Sequence, residues 1–558
     1  MIDGRTVYSP LFSGVQWFDQ QIIMEDLDRI EVIRGPGASL WGANAVNGVV
    51  NITTKSAKDT VGGFGSILFG DYLKYQVVGR QGIDLGDDRY IRFYAKHFSQ
   101  DQTDSDSPLA EMEDAIKQTL VGFRYDWDGE DRGKLTIQGD FAYTETNSVT
   151  DGYSLVPPYG AETFIEGDSH LAYLLARWSR PVGNEGEFSI QGYIDYKSDD
   201  AAFLSSEQIS VDVDAQLSHV INDNNEFVTG FGVRRYDDNL RNSERFMFIP
   251  DEDNRWLLSA FFQNEYKAIP DKFHVTVGAK VEHTEYADFE FQPSLRLLYM
   301  PEENQTIWAS IARAARTPSR GERSAWIAGM IIPPNQLSPI PTKAILQGNA
   351  DYDSEDLVAL EFGHRISAGE RLSFDTSLFY NQYDNLRSLE PGGISQLFSP
   401  VPHNIFTTLA GNGIKGSTQG AEIAVNMQPS DKVRMQGTFS YIDFSIKNKA
   451  TSMDSASVAA YEGSTPKTQL GLRIMYDVSE DWEFDVTGHH TSSLSNPGIG
   501  SNTALDARLA WKPSNTFELA LVGRDLLDSE HVEFPPTYVG GTLKRIPRSY
   551  YLRANWNF

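Results

Sequence analysis

The chain has 558 residues, a formal net charge of −29 and no cysteine. Its 40% hydrophobic and 22% charged residues exclude a wholly disordered chain, because there is enough apolar side chain to bury. The acidic balance argues against a nucleic-acid partner, and the lack of cysteine excludes disulfide scaffolds, thiolate metal sites and cysteine nucleophiles.

The first 60 residues read as a small α+β segment. Residues 27–33 predict a short strand, which Gly35 ends. Residues 38–41 predict one helical turn before Gly42, and residues 49–54 predict a second strand rich in β-branched side chains. The segment is too short to form a stable core of its own, so we expect the rest of the chain to enclose it.

From residue 62 onward the sequence is a series of strands in which apolar and polar residues alternate. The alternation is clear in residues 134–143, 188–196, 504–511 and 549–558. Each segment has about ten residues, the length that a tilted strand needs to cross a bilayer. No stretch reaches about 18 consecutive apolar residues, so a transmembrane helix is not expected.

Aromatic composition fits two kinds of β protein. The chain has 25 Tyr and 10 Trp beside 31 Phe, so more than half of its aromatic rings carry a polar group. Such rings settle at membrane–water interfaces. A soluble β protein with aromatic sugar-binding platforms has the same composition.

The connections between strands come in two sizes. Short turns alternate with long polar stretches at residues 99–118, 147–170, 236–255, 317–348, 385–416, 445–467 and 525–547. This alternation is typical of outer-membrane barrels, which have short periplasmic turns and long external loops. Strands plus connections average a little over 20 residues, which predicts a large antiparallel transmembrane β-barrel of about 22 strands over residues 62–558. A lumen that wide needs water or a plug, and residues 1–61 are the candidate plug.

One segment carries a specific resemblance. Residues 29–55, RIEVIRGPGASLWGANAVNGVVNITTK, resemble the second half of the plug domain of TonB-dependent outer-membrane receptors, and residues 3–5 resemble the plug strand before it. Barrel segments that also resemble the family are residues 312–323, 348–352, 360–363 and 522–528, together with the terminal Phe558. The resemblance covers nearly the whole chain.

The resemblance also implies segments that this sequence does not contain. Family members begin with a signal peptide, a short TonB-contacting box and the first half of the plug, whereas this chain starts within the plug. We therefore expect a truncated gene model or a fragment, in which the function belongs to the intact protein.

The resemblance implies energy-coupled uptake, with no cofactor and no enzymatic step. Substrate binds the outer loops and the plug apex, and the TonB complex then pulls on the plug. The implied protein is a monomer in the outer membrane of a Gram-negative bacterium. A ferric siderophore is the expected substrate, with cobalamin, haem or an oligosaccharide as alternatives. A passive porin-like channel and a soluble sugar-binding or sugar-cleaving β protein are alternatives of a different class.

Arg34 is the plug cation for which we predict barrel partners. In similar receptors, plug arginines meet barrel glutamates in two segments, and the matching residues here are Glu361 and Glu422. A buried charge is costly unless it is paired, so such a cluster would fix the position of the plug. The alternative is that each glutamate only lines a wet lumen.

Two aromatic groups complete the predicted sites. The terminal strand carries Tyr550, Leu552, Trp556 and Phe558, which resemble the signal read by the barrel-assembly machinery; the alternative is an ordinary closing strand. The presumed plug apex carries Tyr8, Phe12, Trp17 and Phe18, which either stack on a catecholate or sugar or pack against the barrel wall.

Acidic runs at residues 101–106 and 251–253 predict solvated loop faces. Such faces can bind divalent ions that bridge to lipopolysaccharide and outer-membrane lipid. The spacing of the carboxylates does not define a structural calcium site.

Overall fold

The computed structural model describes residues 1–105, 114–129, 132–150, 154–159, 163–183, 185–200, 204–534 and 543–558. Within these ranges, 22 antiparallel strands form a closed barrel wall, which confirms the predicted fold class. None of the helices in the same ranges is long and apolar enough to span a bilayer.

A short α+β segment precedes the wall. It comprises a 3₁₀ turn at Met24–Asp26, strand β1 at Leu27–Arg34, helix α1 at Ala38–Trp41, strand β2 at Gly48–Thr54 and a 3₁₀ turn at Lys58–Thr60. β1 and β2 pair antiparallel, with Ile30 opposite Ile52. α1 ends at Gly42, whose φ of 91° lies in a region that favours glycine. The two strands and the helix match the sequence predictions to within one residue, whereas the two 3₁₀ turns were not predicted.

The remaining strands follow in chain order. The first are β3 Gly62–Gly70, β4 Leu73–Gly86, β5 Arg89–Gln100, β6 Asp104–Ser105, β7 Ile116–Asp128, β8 Lys134–Thr150, β9 Thr163–Val182, β10 Gly186–Asp200, β11 Ser205–Asn222 and β12 Asn225–Arg241. They continue as β13 Phe246–Phe248, β14 Glu252–Ile269, β15 Phe273–Thr284, β16 Phe289–Tyr299, β17 Gln305–Arg316, β18 Ala325–Ile332, β19 Thr342–Gln347, β20 Glu355–Ser367, β21 Leu372–Leu397 and β22 His403–Ser430. The last are β23 Val433–Asn448, β24 Thr468–Asp477, β25 Trp482–Thr491, β26 Asn502–Ser514, β27 Phe517–Arg524, β28 Glu530–His531, β29 Lys544–Pro547 and β30 Ser549–Asn557.

Six of these strands lie in the connections rather than in the wall: β6, β13, β18, β19, β28 and β29. Helices α2, Arg320–Ser324, and α3, Ser457–Gly463, also lie in connections. β3 pairs with both β4 and β30, so the start and the end of the wall meet and close it.

Side chains along the wall alternate between two environments. On β20, Val358, Leu360 and Phe362 are exposed on the outside, whereas Leu357 and Ala359 are buried. This alternation is what a wall between hydrocarbon and a filled interior requires, because each strand presents every second residue to either side.

The prediction of a long loop at residues 385–416 is wrong. β21 continues to Leu397 and β22 starts at His403, so most of this stretch is a hairpin that extends beyond the wall. This hairpin contains three register shifts, one of which lies at Pro391–Gly393. Some of the predicted features lie outside the described residues. They are parts of the predicted loops 99–118, 147–170 and 525–547, and Asp106 of the first acidic run.

Candidate functional site

The first 60 residues lie inside the barrel, and we call residues 1–61 the plug. Polar side chains of the plug meet polar side chains on the inner face of the wall in three sectors, and Glu25 also pairs with Arg553 of β30 at 3.4 Å. The first sector is formed by β4–β12, the second by β14–β17 and the third by β20–β22. The contacts in these sectors differ strongly in burial.

Arg5 is buried at the first sector. Its Nη1 donates to Asp195 Oδ1 of β10 at 2.7 Å, and its guanidinium lies 4.0 Å from the ring centroid of Tyr173 on β9. Asp3 accepts a hydrogen bond from Gln138 Nε2 of β8 at 3.0 Å. Three wall strands therefore fix the beginning of the plug.

Asp26 forms the second contact of this sector, just before β1. Its carboxylate pairs with Arg80 of β4, and Arg92 Nε of β5 lies 3.7 Å from the other carboxylate oxygen. The Asp26 side chain is only 4% exposed. Arg92 Nη1 also donates to the backbone carbonyl of Lys55 at 2.8 Å, so one wall arginine contacts both ends of the β1–β2 hairpin.

Asp19 forms the third contact. Lys197 Nζ of β10 lies 2.6 Å from Asp19 Oδ2 and 3.1 Å from Asp199 Oδ2, and Ser169 Oγ donates to Asp19 Oδ1 at 2.8 Å. The three contacts together place five charged wall residues against three charged plug residues, all largely excluded from water.

The second sector holds α1. Ser294 Oγ of β16 donates to Ser39 Oγ at 2.9 Å, and both side chains are buried. Glu282 of β15 accepts hydrogen bonds from the backbone of Ala43 and from Gln292 Nε2, the latter at 3.0 Å. These are short, specific contacts, but few of them are ionic.

The third sector contains the predicted charge cluster. Arg34 Nη1 forms an ion pair with Glu422 of β22. Glu361 of β20 accepts a hydrogen bond from Ser310 Oγ at 3.2 Å and lies directly against Gly35, the neighbour of Arg34. The structure therefore brings the three residues to one place, although the ion pair joins only two of them. The side chain of Arg34 is 54% exposed.

The plug apex contacts the segment that follows β17. The backbone amides of Arg320 and Gly321 in α2 donate to the carbonyls of Pro10 and Leu11 at 3.1 and 2.8 Å. Leu11 is buried in an apolar cluster whose other buried members are Leu240, Phe248 and Ala325. The apex is thus attached to outer connections as well as to the wall.

A cluster of charged side chains around Arg316 adjoins this contact between the plug apex and α2. Arg316 Nη2 donates to Glu322 Oε1 at 2.7 Å and to Glu355 Oε1 at 2.5 Å, while its Nη1 donates to Ser13 Oγ of the plug at 3.0 Å. Burial raises the pKa of the Glu322 carboxyl, but the hydrogen bonds and charge of Arg316 outweigh burial, so that the pKa is lowered. Glu322 also completes a capping box with Ser319 at the start of α2.

The predicted apical aromatics differ in how they pack. Phe12 packs edge-on against Phe246 and Phe248, with ring centroids 6.4 and 5.9 Å apart. Tyr8 is partly buried near Ser13 and Arg316, and burial raises its pKa. Trp17 and Phe18 are 53% and 41% exposed. Phe12 is 42% exposed despite these ring contacts, so three of the four aromatic residues present substantial surface to solvent. A substrate contact for any of the four stays a prediction.

The terminal strand closes the wall through its aromatic residues. Phe558 exchanges two backbone hydrogen bonds with Gly63, at 2.7 and 3.0 Å, and its ring covers that glycine. Trp556 covers Gly65 in the same way, whereas Tyr550 and Leu552 are exposed on the outer face. The geometry fits both a closing strand and an assembly signal.

Sequence reasoning missed the most buried plug contacts, those of Arg5, Asp19 and Asp26. Each belongs to a short polar segment of the plug, and nothing in the local pattern distinguishes it from a solvated charge. One general argument could have found these residues. A plug enclosed in a barrel must bury its charged side chains, and each buried charge needs a partner of opposite charge, so every charged plug residue is a candidate for a wall contact.

The chain matches two protein-family models and is similar to several known proteins. The model described as "TonB dependent receptor-like, beta-barrel" matches residues 54–526, and "TonB-dependent Receptor Plug Domain" matches residues 1–49. The chain is 22% identical to the ferrienterobactin receptor of Escherichia coli K12, over 90% of this chain and 76% of that receptor. It is 23% identical to the ferric enterobactin receptor of Pseudomonas aeruginosa, over 87% and 72%. The solved structure of the siderophore receptor PirA from Acinetobacter baumannii aligns with a TM-score of 0.77 and 16% identity, over 100% of this chain and 90% of that one.

Proposed function

We propose that this chain, which belongs to the family of TonB-dependent outer-membrane receptors, takes up a ferric siderophore by energy-coupled transport. The family places it in the outer membrane of a Gram-negative bacterium. Relatives named as ferric enterobactin receptors support an iron chelate as the substrate. The proposal includes a division into a plug, residues 1–61, and a barrel, residues 62–558.

The observation that carries the proposal is a plug held inside a closed wall by polar contacts. A hydrophobic interface between plug and wall would be difficult to hydrate during movement, whereas ion pairs and hydrogen bonds can exchange partners with water. Mechanical pulling can therefore detach the plug without unfolding the wall, whose strands are joined by continuous backbone ladders.

The proposed partners follow from this mechanism. The TonB complex supplies the force, the barrel-assembly machinery inserts the wall, and lipopolysaccharide and outer-membrane lipid surround it. The receptor acts as a monomer and catalyses no covalent reaction. Its plug–wall contacts, including the pair Arg34–Glu422 beside Glu361, hold the closed state.

A disulfide between plug and wall tests whether the plug must move. The chain has no cysteine of its own, and the Ser39 and Ser294 hydroxyls lie 2.9 Å apart, which suits a disulfide after replacement of both by cysteine. In a receptor carrying Ser39→Cys and Ser294→Cys, we expect oxidation to abolish uptake and leave substrate binding intact. Reduction should restore uptake, and each single variant serves as the control. Full uptake by the oxidised double variant would contradict the proposal.

Growth tests identify the substrate. A strain that lacks this receptor is supplied with single ferric siderophores, haem or cobalamin, and growth is compared with that of the complemented strain. We expect growth on a ferric siderophore to require both the receptor and the proton gradient. Receptor-dependent uptake that persists with an uncoupler would favour a passive channel instead, and dependence on cobalamin or haem alone would reassign the substrate.

Deletion of Phe558 tests the proposed assembly signal. The deletion removes the ring that covers Gly63 and the last backbone pair between β3 and the terminus. We expect less inserted barrel in outer-membrane fractions, measured by heat-modifiable mobility on gels. Phe558→Tyr keeps an aromatic ring and should insert normally. Equal insertion of the deletion variant would leave the terminal strand with a closing role only.

A further inference from the structure

We infer that an arginine–tyrosine ladder on the inner wall is a transient binding site for an anionic ferric chelate that carries aryl rings, and that the plug covers this site at rest. The ladder consists of Tyr193, Arg234, Tyr236, Arg255, Tyr286 and Arg323. The inference rests on the proposed function and deepens it, because it names the class of chelate and a part of its path through the barrel.

The inner half of the ladder lies midway along the wall. Tyr193 is near the middle of β10, and the guanidinium of Arg234 on β12 lies 5.9 Å from its ring centroid. The same guanidinium lies 5.8 Å from the ring centroid of Tyr236, to whose hydroxyl oxygen Arg234 Nη1 donates at 3.0 Å. Two tyrosine rings therefore flank one arginine.

The outer half of the ladder reaches the mouth of the barrel. Arg255 of β14 is directly opposite Tyr236 in the register, and its guanidinium lies 5.9 Å from that ring and 4.9 Å from the ring of Tyr286. Tyr286 follows the outer end of β15, and the guanidinium of Arg323 in α2 lies 5.1 Å from its ring. All of these distances are within the range of cation–π contacts, so the ladder is continuous from mid-barrel to mouth.

The plug lies against the ladder. Arg234 Nη2 donates a hydrogen bond to Thr6 Oγ1 of the plug at 3.0 Å. Further out, a cavity of about 60 Å³ lies between the plug apex and the ladder, and its lining includes Tyr8, Ser13, Tyr236, Arg255 and Tyr286. A cavity of that size is too small for a chelate, because ligand pockets typically have several hundred Å³. The ladder is therefore not the site that first receives the substrate.

Movement of the plug frees binding groups on this wall. When Thr6 leaves, Arg234 Nη2 loses its acceptor and becomes a free donor. When Arg5 leaves, the ring of Tyr173 on the neighbouring β9 loses the guanidinium that lies 4.0 Å from its centroid at rest. The departing plug thus exposes a donor and a ring face next to each other on the wall.

The movement also changes the charge of the wall. The plug residues that contact this side include three carboxylates, Asp3, Asp19 and Asp26, and one cation, Arg5. Their departure removes more negative than positive charge, so the local charge of the wall becomes more positive although the whole chain carries −29. An anionic ligand can then replace the plug carboxylates, which lowers the cost of leaving buried cations without a partner.

The ladder fits a ligand that combines aryl rings with negative charge. Aryl rings stack on the faces of tyrosine rings and guanidinium groups, and anionic oxygens accept charge-assisted hydrogen bonds from arginine. A ferric tris(catecholate) supplies both, because three doubly charged catecholates around Fe³⁺ leave a net negative charge. A ferric tris(hydroxamate) supplies neither, since it has no aryl ring and its three ligand charges balance those of Fe³⁺. The ladder is therefore assigned to aryl chelates.

The test separates transport from binding. Cells that carry the wild-type receptor or Tyr236→Leu receive radiolabelled ferric enterobactin, a tris(catecholate), with and without an uncoupler. For Tyr236→Leu we expect about fivefold slower uptake by energised cells, the ratio expected for the loss of one ring contact, and unchanged binding to uncoupled cells. Tyr236→Phe keeps the ring and should transport at the wild-type rate. The matched control is Tyr383→Leu, which removes an inner-wall tyrosine outside the ladder that donates to Asn47 of the plug at 3.2 Å, and it should also transport at the wild-type rate.

A comparison of chelates on the wild type needs no variant and keeps the test decisive if Tyr236→Leu does not insert, which heat-modifiable mobility shows. We expect energy-dependent uptake of ferric enterobactin and none of ferrichrome, a tris(hydroxamate) without aryl rings. An unchanged rate in Tyr236→Leu, an equal loss of binding to uncoupled cells, or uptake of ferrichrome but not of ferric enterobactin would overturn the inference and leave the proposed function in place. Absence of energy-dependent uptake of any ferric siderophore would instead refute the proposed function, and the inference with it.

Discussion

The plug meets the barrel wall very differently on its two sides. On β4–β12, Asp26 is 4% exposed between Arg80 and Arg92, and Arg5 is buried against Asp195. On β20–β22, Arg34 is 54% exposed beside Glu422, which is 27% exposed. The first side holds the plug with charges removed from water, and the second holds it with a charge pair in contact with water.

The difference predicts that burial, rather than the presence of an ion pair, decides how firmly the plug is held. Removing one partner of a buried pair leaves an uncompensated charge and costs about 3–5 kcal/mol. A solvated pair contributes about 0–1 kcal/mol, because water screens it and the free side chains are already well hydrated. Four predictions test this contrast, from the largest expected effect to the smallest.

Asp26→Asn should loosen the plug most. It leaves Arg80 and Arg92 buried without their carboxylate, which should destabilise plug seating by about 3–5 kcal/mol. We expect faster proteolysis of the plug in purified receptor and greater sensitivity of cells to a large antibiotic that intact barrels exclude. Asp28→Asn is the matched control, since Asp28 is exposed and, among the described residues, pairs only with its neighbour Arg29. Wild-type behaviour of Asp26→Asn would refute the role of this contact.

Leu11→Ala should weaken the apex contact. Leu11 is 4% exposed within an apolar cluster, and truncation of a buried leucine costs about 2–4 kcal/mol through lost burial and the cavity left behind. We expect faster hydrogen exchange at the amides of Arg320 and Gly321, which donate to the apex carbonyls. Leu337→Ala is the control, because that leucine is almost fully exposed in an outer connection. Unchanged exchange at α2 would show that the apex does not depend on this side chain.

Arg34→Glu should have a smaller effect. It places a carboxylate beside Glu422 and Glu361, but the position is half exposed, so we expect a loss of about 1 kcal/mol. Antibiotic leakage should rise slightly above wild type and remain well below that of Asp26→Asn. Glu422→Arg in the same chain should restore the pair and reverse the effect. If leakage and uptake both stay at wild-type levels, the predicted cluster is wrong.

Acidification should weaken the contact beneath the apex. The pKa of the Glu322 carboxyl is lowered in the folded protein, so its stabilising contribution is complete above the unfolded pKa of about 4.3 and is lost as pH falls through the lower folded pKa. The protection of the α2 amides, corrected for the pH dependence of intrinsic amide exchange, should therefore fall below about pH 4. Glu322→Gln should remove this pH dependence. The effect is the smallest of the four, because Glu355 still pairs with Arg316.

Much of this architecture follows from sequence alone. The wall was predictable because each strand lies between two environments, which imposes an alternation visible in residues such as Leu360 and Glu361. The helical turn before Gly42 was predictable because it depends on local backbone conformation. Arg34 with Glu422 was found only through resemblance to a family.

The missed features depend on distant parts of the chain. Arg5 and Asp195 are separated by 190 residues, and only the register of the closed wall brings them together. The error at residues 385–416 has a similar cause, since their Gly and Pro residues are typical of turns yet pair across bulges in a long hairpin. Local patterns do not encode which strand lies opposite.

Hydrogen exchange of β1 tests the central contrast most directly, because this strand lies between Asp26 and Arg34 and reports on both contacts. Wild type, Asp26→Asn and Arg34→Gln are compared in one experiment on detergent-purified receptor. We predict that exchange at residues 27–34 is at least tenfold faster in Asp26→Asn than in Arg34→Gln, which should stay within a few-fold of wild type. Equal acceleration in the two variants, or a greater effect of Arg34→Gln, would contradict the conclusion that buried charge on one side of the barrel holds the plug.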